Sequence, residues 1–388
     1  MSGAGTIRLG ELLKVQNGFA FKKEFFSASA GVPLIRIRDL EGTSTEINYC
    51  GPYREEFLVE AGDYLIGMDG EFHCNIWRGP RALLNQRVCR LLDFDGRLNS
   101  MYLYYGIRKY LKEIEDHTAF VTVKHISGRQ IEDIRIPLPP IEVQRRIVDV
   151  LSRAEAVVRM RREAEAKAKE IIPALFVDMF EDPANSGLDA GSEVWREAGN
   201  TAHESGRAGS GWEIKRIGEV VRNLDASRRP VKSSERSEMS GVHPYFGASG
   251  IIDHVNGYTH EEPALLVAED GANLLSRSTP IAFQADGKFW VNNHAHVLGY
   301  SGLAELTYLE VALNQRDLRE HITGSAQPKL TQRALLDLAL PIPPISLQRA
   351  FSQRVNETRN IASIQRTALR GAEHVFQSLL AGVFGEGG

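Results

Sequence analysis

The chain is poor in cysteine. Its 388 residues hold three, Cys50, Cys74 and Cys89, all in the first half and none in a Cys-x-x-Cys spacing. That excludes a disulfide framework and offers no zinc site, so reduced, mostly buried thiols are expected. Long hydrophobic runs are missing too: no stretch of about eighteen apolar residues occurs, and Met1-Ser2-Gly3-Ala4-Gly5 leads into Ile7-Arg8-Leu9 without the layout of a signal peptide. A cytoplasmic protein without a membrane partner is expected. Nor is there an excess of positive charge, since 46 Lys and Arg face 50 Asp and Glu for a net charge of −4. Unaided coating of nucleic acid rests on releasing counterions from many neutralised phosphates. A DNA binder with this balance must use local basic patches or borrow charge from partners.

Catalytic signatures are absent as well. Asp182-Pro183-Ala184-Asn185 lacks the second proline and the aromatic that grip a flipped base, and Phe246-Gly247-Ala248-Ser249-Gly250 reads as a turn rather than a cofactor loop. The Gly287-Lys288 pair is followed by Phe289, so no phosphate-cradling loop is present. Glu213-x-Lys215 has no Pro-Asp pair before it and carries no nuclease motif. Asn292-Asn293-His294-Ala295-His296 places two histidines on one face of a strand without a third ligand, which reads as a hydrogen-bonding surface. No catalytic residue, metal ligand or cofactor site is expected.

What the chain has is material for two domains, with 43% hydrophobic and 25% charged residues. It also has a duplication. Ile136-Pro137-Leu138-Pro139-Pro140-Ile141-Glu142-Val143-Gln144-Arg145 recurs as Leu340-Pro341-Ile342-Pro343-Pro344-Ile345-Ser346-Leu347-Gln348-Arg349, an offset of 345 − 141 = 204. Fainter pairs follow in order: Leu9-Gly10-Glu11-Leu12 with Ile217-Gly218-Glu219-Val220, Met68-Asp69-Gly70 with Glu269-Asp270-Gly271, and Ile126-Ser127-Gly128-Arg129-Gln130-Ile131 with Leu330-Thr331-Gln332-Arg333-Ala334-Leu335. Alternation and turn signals predict strands at 32–38, 64–67 and 87–92 with a helix over 100–115, then strands at 264–268, 279–283 and 295–299 with a helix over 307–321. The fold class is α+β. The expected parts are a globular domain over 1–140, a long helix over 141–181, a polar linker over 182–211, a second domain over 212–344 and a second long helix over 345–385.

Each long helix carries a four-three alternation. In the first, Val143, Ile147, Val150, Ala154, Val157, Ala164, Ala168, Ile171 and Leu175 form the stripe, with Leu151 beside it and Arg161 interrupting it. In the second it is Phe351, Val355, Thr358, Ala362, Leu369, Ala372, Phe376, Leu379 and Val383, with Gln365 opposite Arg161. Two such helices bury their stripes most simply against each other, as an antiparallel coiled coil. The alternative, two helices each lying on its own domain, stays open. Pro173 is expected to kink the first helix.

With the duplicated Pro-Pro-Ile-x-x-Gln-Arg junction, the whole chain except the linker resembles the specificity subunit of a type I restriction-modification system. Asn17-Gly18-Phe19-Ala20-Phe21-Lys22, Gly247-Ala248-Ser249-Gly250-Ile251-Ile252, Val267-Ala268-Glu269-Asp270-Gly271 and Gly324-Ser325-Ala326-Gln327-Pro328-Lys329-Leu330 look like that family's landmarks. The first domain departs from the last of these, with Thr118-Ala119-Phe120-Val121-Thr122-Val123-Lys124-His125. The resemblance implies two target recognition domains, each reading half of a split double-stranded DNA site and held apart by the helices. It also implies two methyltransferase subunits and motor-nuclease subunits as partners, which carry the S-adenosylmethionine, ATP and magnesium chemistry. A methylation-only or related phage-defence assembly, a self-contained enzyme with unrecognised motifs and a DNA-independent scaffold are the other readings.

Base reading calls for Arg or Lys against guanine and Asn or Gln against adenine. The DNA-binding candidates are Lys22, Lys23, Arg36, Arg38, Asn85, Gln86, Arg87, Lys124 and His125 in the first domain. In the second they are Arg228, Arg229, Lys232, Asn292, Asn293, His294, Gln327 and Lys329. For each, phosphate contact is the more general expectation.

Overall fold

The computed structural model describes residues 6–117, 124–180, 212–324 and 326–385. The proposed linker and the segment Thr118 to Val123 lie outside the described residues. The chain divides into two compact units, one from Met1–Arg162 with Ala368–Gly388, the other from Glu163–Thr367. Each long helix is thus shared between the units, a partition the junction-based boundaries did not anticipate. Among the described residues, no helix is long and apolar enough to cross a membrane.

The two units repeat one frame. In the first, Thr6–Arg8 pairs antiparallel with Arg135–Pro137, clasping the start of the domain to its end. A four-stranded antiparallel sheet follows in the order Lys14–Asn17, Val88–Leu92, Tyr64–Gly67, Cys74–Ile76. In the second, Glu213–Arg216 pairs with Ala339–Ile342, and the four strands run Val221–Asn223, Ala295–Tyr300, Ala264–Ala268, Ala282–Ala285. The centre of that sheet is the apolar run Ala264–Ala268, buried along its whole length between two neighbours, which is why it reads as continuous rather than alternating. A remaining sheet differs. The first unit has five strands, Phe26–Ser27, Asn48–Tyr49, Val32–Ile35, Ala82–Leu84 and Leu58–Val59, and the second has three, Gly250–Val255, Ser240–Gly247 and Trp290–Val291.

Helix Ser100–His117 packs on the first sheet. It begins at Asn99, whose side-chain oxygen accepts from the N–H of Met101 at 2.9 Å and Tyr102 at 3.1 Å, as an N-cap does. Its counterpart, Leu306–Gln315, ends six residues short of the expected His321, because the chain at Arg316 turns extended and a separate turn, Arg319–His321, takes over. The strand expected at 279–283 begins at Ala282 instead. Pro280 has no N–H to give a ladder, and the N–H of Ile281 goes to the Asn314 side chain at 2.9 Å. Strand 32–38 stops at Ile35, where Arg36 and Asp39 cap the turn Ile37–Asp39. The repeated Ser127 and Thr331 are both N-caps, accepting from Gln130 at 3.3 Å and Ala334 at 3.2 Å. Of the cysteines, Cys50 is exposed rather than buried. Burial pushes the Cys89 thiol up to about 12 and the Cys74 thiol also upward.

The long helices span Ile141–Phe180 and Ile345–Phe384, the first running on through Pro173. In the first unit, Ile147, Val148 and Leu151 share a core with Phe376, Leu379, Leu380, Val383 and Phe384, and Arg162 meets Glu373 at 2.6 Å. In the second, Phe176 and Phe180 lie 5.7 and 5.0 Å from Phe351. Within each unit the helices therefore pack antiparallel. The second helix buries or half-buries its whole expected stripe, Phe351, Val355, Thr358, Ala362, Gln365, Leu369, Ala372, Phe376, Leu379 and Val383. The first differs at alternate positions: Val150, Val157 and Ile171 are 49%, 43% and 48% exposed, and Ala164 is exposed. The inward set is Ile147, Leu151, Ala154, Val158, Arg161, Glu165, Ala168, Ile172, Leu175 and Met179. Val150-Leu151, Val157-Val158 and Ile171-Ile172 are adjacent apolar pairs, so hydrophobicity alone cannot choose between them.

Candidate nucleic-acid interface

In the first unit the structure brings together five of the nine candidates. The turn Asn85-Gln86-Arg87 joins strand Ala82–Leu84 to Val88–Leu92. It needs a close neighbour: Gly18 approaches so tightly that a Cβ there would sit 2.1 Å from the Asn85 carbonyl oxygen. Arg87 also accepts the Met68 N–H at 2.9 Å, which places the turn against the Asp69-Gly70 loop. Gly70, at φ +82°, takes a left-handed bend and donates its N–H to the Lys124 carbonyl at 3.1 Å. The Asp69 carboxylate then lies between the Arg87 guanidinium at 2.9 Å and His125 Nδ1 at 2.7 Å. Lys124 bonds the buried Glu115 at 2.7 Å, and that bond holds the Glu115 carboxyl below its ordinary value.

The second unit builds the same site from different residues. Asn292-Asn293-His294 leads into Ala295–Tyr300, and His294 accepts the Glu269 N–H at 2.9 Å. Gly271, at φ +108°, donates to the Pro328 carbonyl at 3.0 Å. His294 Nδ1 lies 2.8 Å from Asp270, and Lys329 Nζ lies 3.0 Å from Glu269. Glu269 also holds Arg228 at 2.6 Å. Burial pushes the Glu269 carboxyl up, but the bonds from Arg228 and Lys329 outweigh it and leave it below its ordinary value. Beneath the site, His296 is buried between Asp225 at 2.8 Å and the Leu330 carbonyl at 2.8 Å. The two histidines of this segment thus serve separate carboxylates. No group of three or more metal-ligating side chains occurs among the described residues.

The other candidates are placed as follows. Arg36 is half-buried and bridges Asp39 and Glu46, with the exposed Arg38 3.5 Å from Glu46. Arg38 and Asp69 line one shallow cleft of about 360 Å³ with Glu41, Glu71 and His73. Lys22 and Lys23 are exposed at the turn Lys23–Phe25, Lys22 being 3.6 Å from Glu24. Arg229 is exposed beside the second turn, its N–H bonded to the Val291 carbonyl at 3.0 Å. Lys232 is exposed at the start of helix Ser233–Glu238, and Gln327 is exposed on the loop ahead of Lys329. Ser325 lies outside the described residues. Arg228 and Asn292 face largely inward: Arg228 bonds Glu269 and the Ala295 carbonyl, and Asn292 accepts from the His294 N–H. The residues sequence reasoning missed are the carboxylates, Asp69, Asp270, Glu269 and Glu115. The repeated Asp-Gly pair was their one visible signal.

In each unit, cationic side chains and two carboxamides gathered around anchoring carboxylates make an array of donors suited to phosphate oxygens and base edges. Known proteins carry the same frame. A family model described as "Type I restriction modification DNA specificity domain" matches residues 1–169 and again 209–366. The type I restriction enzyme EcoBI specificity subunit of Escherichia coli is 41% identical over 146 residues, 37% of this chain and 31% of that protein, so the match spans about a third of that relative. The type I restriction enzyme MjaVIII specificity subunit of Methanocaldococcus jannaschii is 21% identical over 80% of this chain and 76% of its own length. In fold, the chain is similar to the crystal structure of the type I restriction-modification system S subunit from M. genitalium, with a TM-score of 0.60 at 15% identity, covering 97% of this chain and 94% of that one.

Proposed function

The chain belongs to the type I restriction modification DNA specificity family, and from that premise we propose that it is the DNA-reading, non-catalytic subunit of a methyltransferase complex. Each unit reads one half of a bipartite site. The paired helices set the spacer and dock two methyltransferase subunits, which bring S-adenosylmethionine, and motor-nuclease subunits that use ATP and magnesium join in the full complex. It works in the cytoplasm.

The observation that carries this reading is one frame built twice around unlike donor sets. Asn85, Gln86, Arg87 and His125 in one unit correspond to Asn292, Asn293, His294 and Lys329 in the other. Unlike donors read unlike bases, so the joint site is asymmetric. Among the candidates, the exposed Lys22, Lys23, Arg38, Arg229, Lys232 and Lys329 are suited to phosphates, offsetting a net charge of −4 locally. Val150, Val157 and Ile171, exposed on the first long helix, give the partner subunits an apolar surface.

The test is a genome-wide map of methylated adenines with and without the gene. An asymmetric bipartite motif that vanishes on deletion is expected. An unchanged methylome, or a palindromic motif, overturns the reading.

A further inference from the structure

The same three-residue turn stands at the same place in both units. Its first residue is an asparagine whose side-chain oxygen accepts the N–H of the third, Asn85 from Arg87 at 3.4 Å and Asn292 from His294 at 2.8 Å. The backbone N–H of that asparagine is also committed, to Ile35 at 3.3 Å and to Phe246 at 3.1 Å. The third residue is held through its side chain by the aspartate of the repeated Asp-Gly pair, Arg87 by Asp69 and His294 by Asp270. Only the middle residue is left over. It is Gln86 in one unit and Asn293 in the other, both exposed, and neither side chain has a partner among the described residues.

Both are carboxamides. That side chain donates and accepts through adjacent atoms, the pattern that matches N6 and N7 of adenine along the major-groove edge. A phosphate offers acceptors alone and is served better by a cation, Arg87 in one unit and Lys329 in the other. A base contact also demands a side chain held in place, and the bonded asparagine and the aspartate contact of the third residue fix the turn from both ends.

We propose that Gln86 and Asn293 are equivalent specificity determinants, each reading one adenine in its own half-site. This rests on the chain being the DNA-reading subunit. Gln86 is one methylene longer, so its turn stands further back from the groove floor than that of Asn293.

The test uses the chain assembled with its methyltransferase subunits in cells lacking the native gene, with the methylome as readout. Gln86→Ala relaxes one adenine position in one half-site, and Asn293→Ala relaxes one in the other. Discrimination there falls roughly 5- to 150-fold while every other position stays strict. As a second arm, the unaltered complex is bound to duplexes in which that adenine is replaced by 7-deazaadenine, which removes N7. A loss of affinity within the same range is expected. Variants that keep the parent motif at full strictness, or that lower methylation evenly at every site, overturn the assignment, as does unchanged binding to the 7-deaza duplex. Absence of any bipartite motif from the unaltered chain removes the DNA-reading premise itself, a different failure.

Discussion

Gln144 and Gln348, fully buried and 348 − 144 = 204 residues apart, share two bonds. Each donates to the carbonyl of the proline five residues back, Pro139 at 2.8 Å and Pro343 at 2.7 Å. Each accepts the N–H that opens its domain helix, from Asn99 at 2.8 Å and Glu305 at 2.9 Å. The glutamine of the repeated junction therefore ties the long helix to the domain it leaves. Gln144→Leu strands the Asn99 N–H and the carbonyls of Arg97 and Pro139, which should cost about 2–5 kcal/mol. Hydrogen exchange on the full chain checks it. Helix Ser100–His117 should lose protection while Leu306–Gln315 keeps it, with the reverse for Gln348→Leu. Equal loss in both helices would contradict the local tie.

The same glutamines set the phase of the seam. Seven-residue steps from Gln144 reach Leu151, Val158, Glu165, Ile172 and Met179, and from Gln348 they reach Val355, Ala362, Leu369, Phe376 and Val383, all partly or fully buried. Leu151→Ala should therefore destabilise the chain by about 2–5 kcal/mol, and Val150→Ala by less than about 0.5 kcal/mol. Urea midpoints of the isolated chain decide between them, and a Val150 cost equal to that of Leu151 would put the seam in the other register.

How far residues announced this structure varies with the forces at work. Strands Tyr64–Gly67 and Ala264–Ala268 fell where the apolar runs put them, since burial on a sheet leaves a local pattern. The duplication was legible because junction, caps and Asp-Gly turns need particular residues at particular places. The seam of the first helix was not, because three adjacent apolar pairs satisfy either register and only a buried polar residue, Gln144, breaks the tie. The carboxylates of the candidate site were hidden for a related reason. Asp69 pairs with Arg87, 18 positions on, and His125, 56 positions on, and no local pattern reports such contacts.

Acid should loosen the second unit in two stages. Burial holds His260 below its ordinary 6.5, so the unfolded chain takes up that proton first and stability begins to decline as pH falls past 6.5. Burial pushes the Asp225 carboxyl up, but bonds from His296, the Val297 N–H and Gln332 prevail and hold it below its ordinary 3.8. Its contribution is present in full above that value and is lost as pH falls through the lowered folded value. Asp225→Asn should be less stable at pH 7 by about 1–3 kcal/mol, and its decline below about pH 4 should be shallower. Denaturation midpoints from pH 7 to pH 3 check this, and parallel curves for variant and parent would refute it.

A spacer set by the helices should respond to their length in whole heptads. Each spans 40 residues, about 60 Å at about 1.5 Å per residue. Four residues added to both helices lengthen each by roughly 6 Å, one or two base pairs, but carry apolar positions off the seven-residue repeat that starts at Gln144 and Gln348. Seven keep every inward residue inward and add about 10.5 Å, close to three base pairs at about 3.4 Å each. The heptad insertion should therefore give a stable chain whose methylated motif keeps both half-sites and widens its spacer by about three base pairs. The four-residue insertion should give a less stable chain with weaker methylation. Methylomes of the two variants separate the outcomes: an unchanged spacer would show that something other than these helices sets the distance, and altered half-site bases would show that the helices take part in reading.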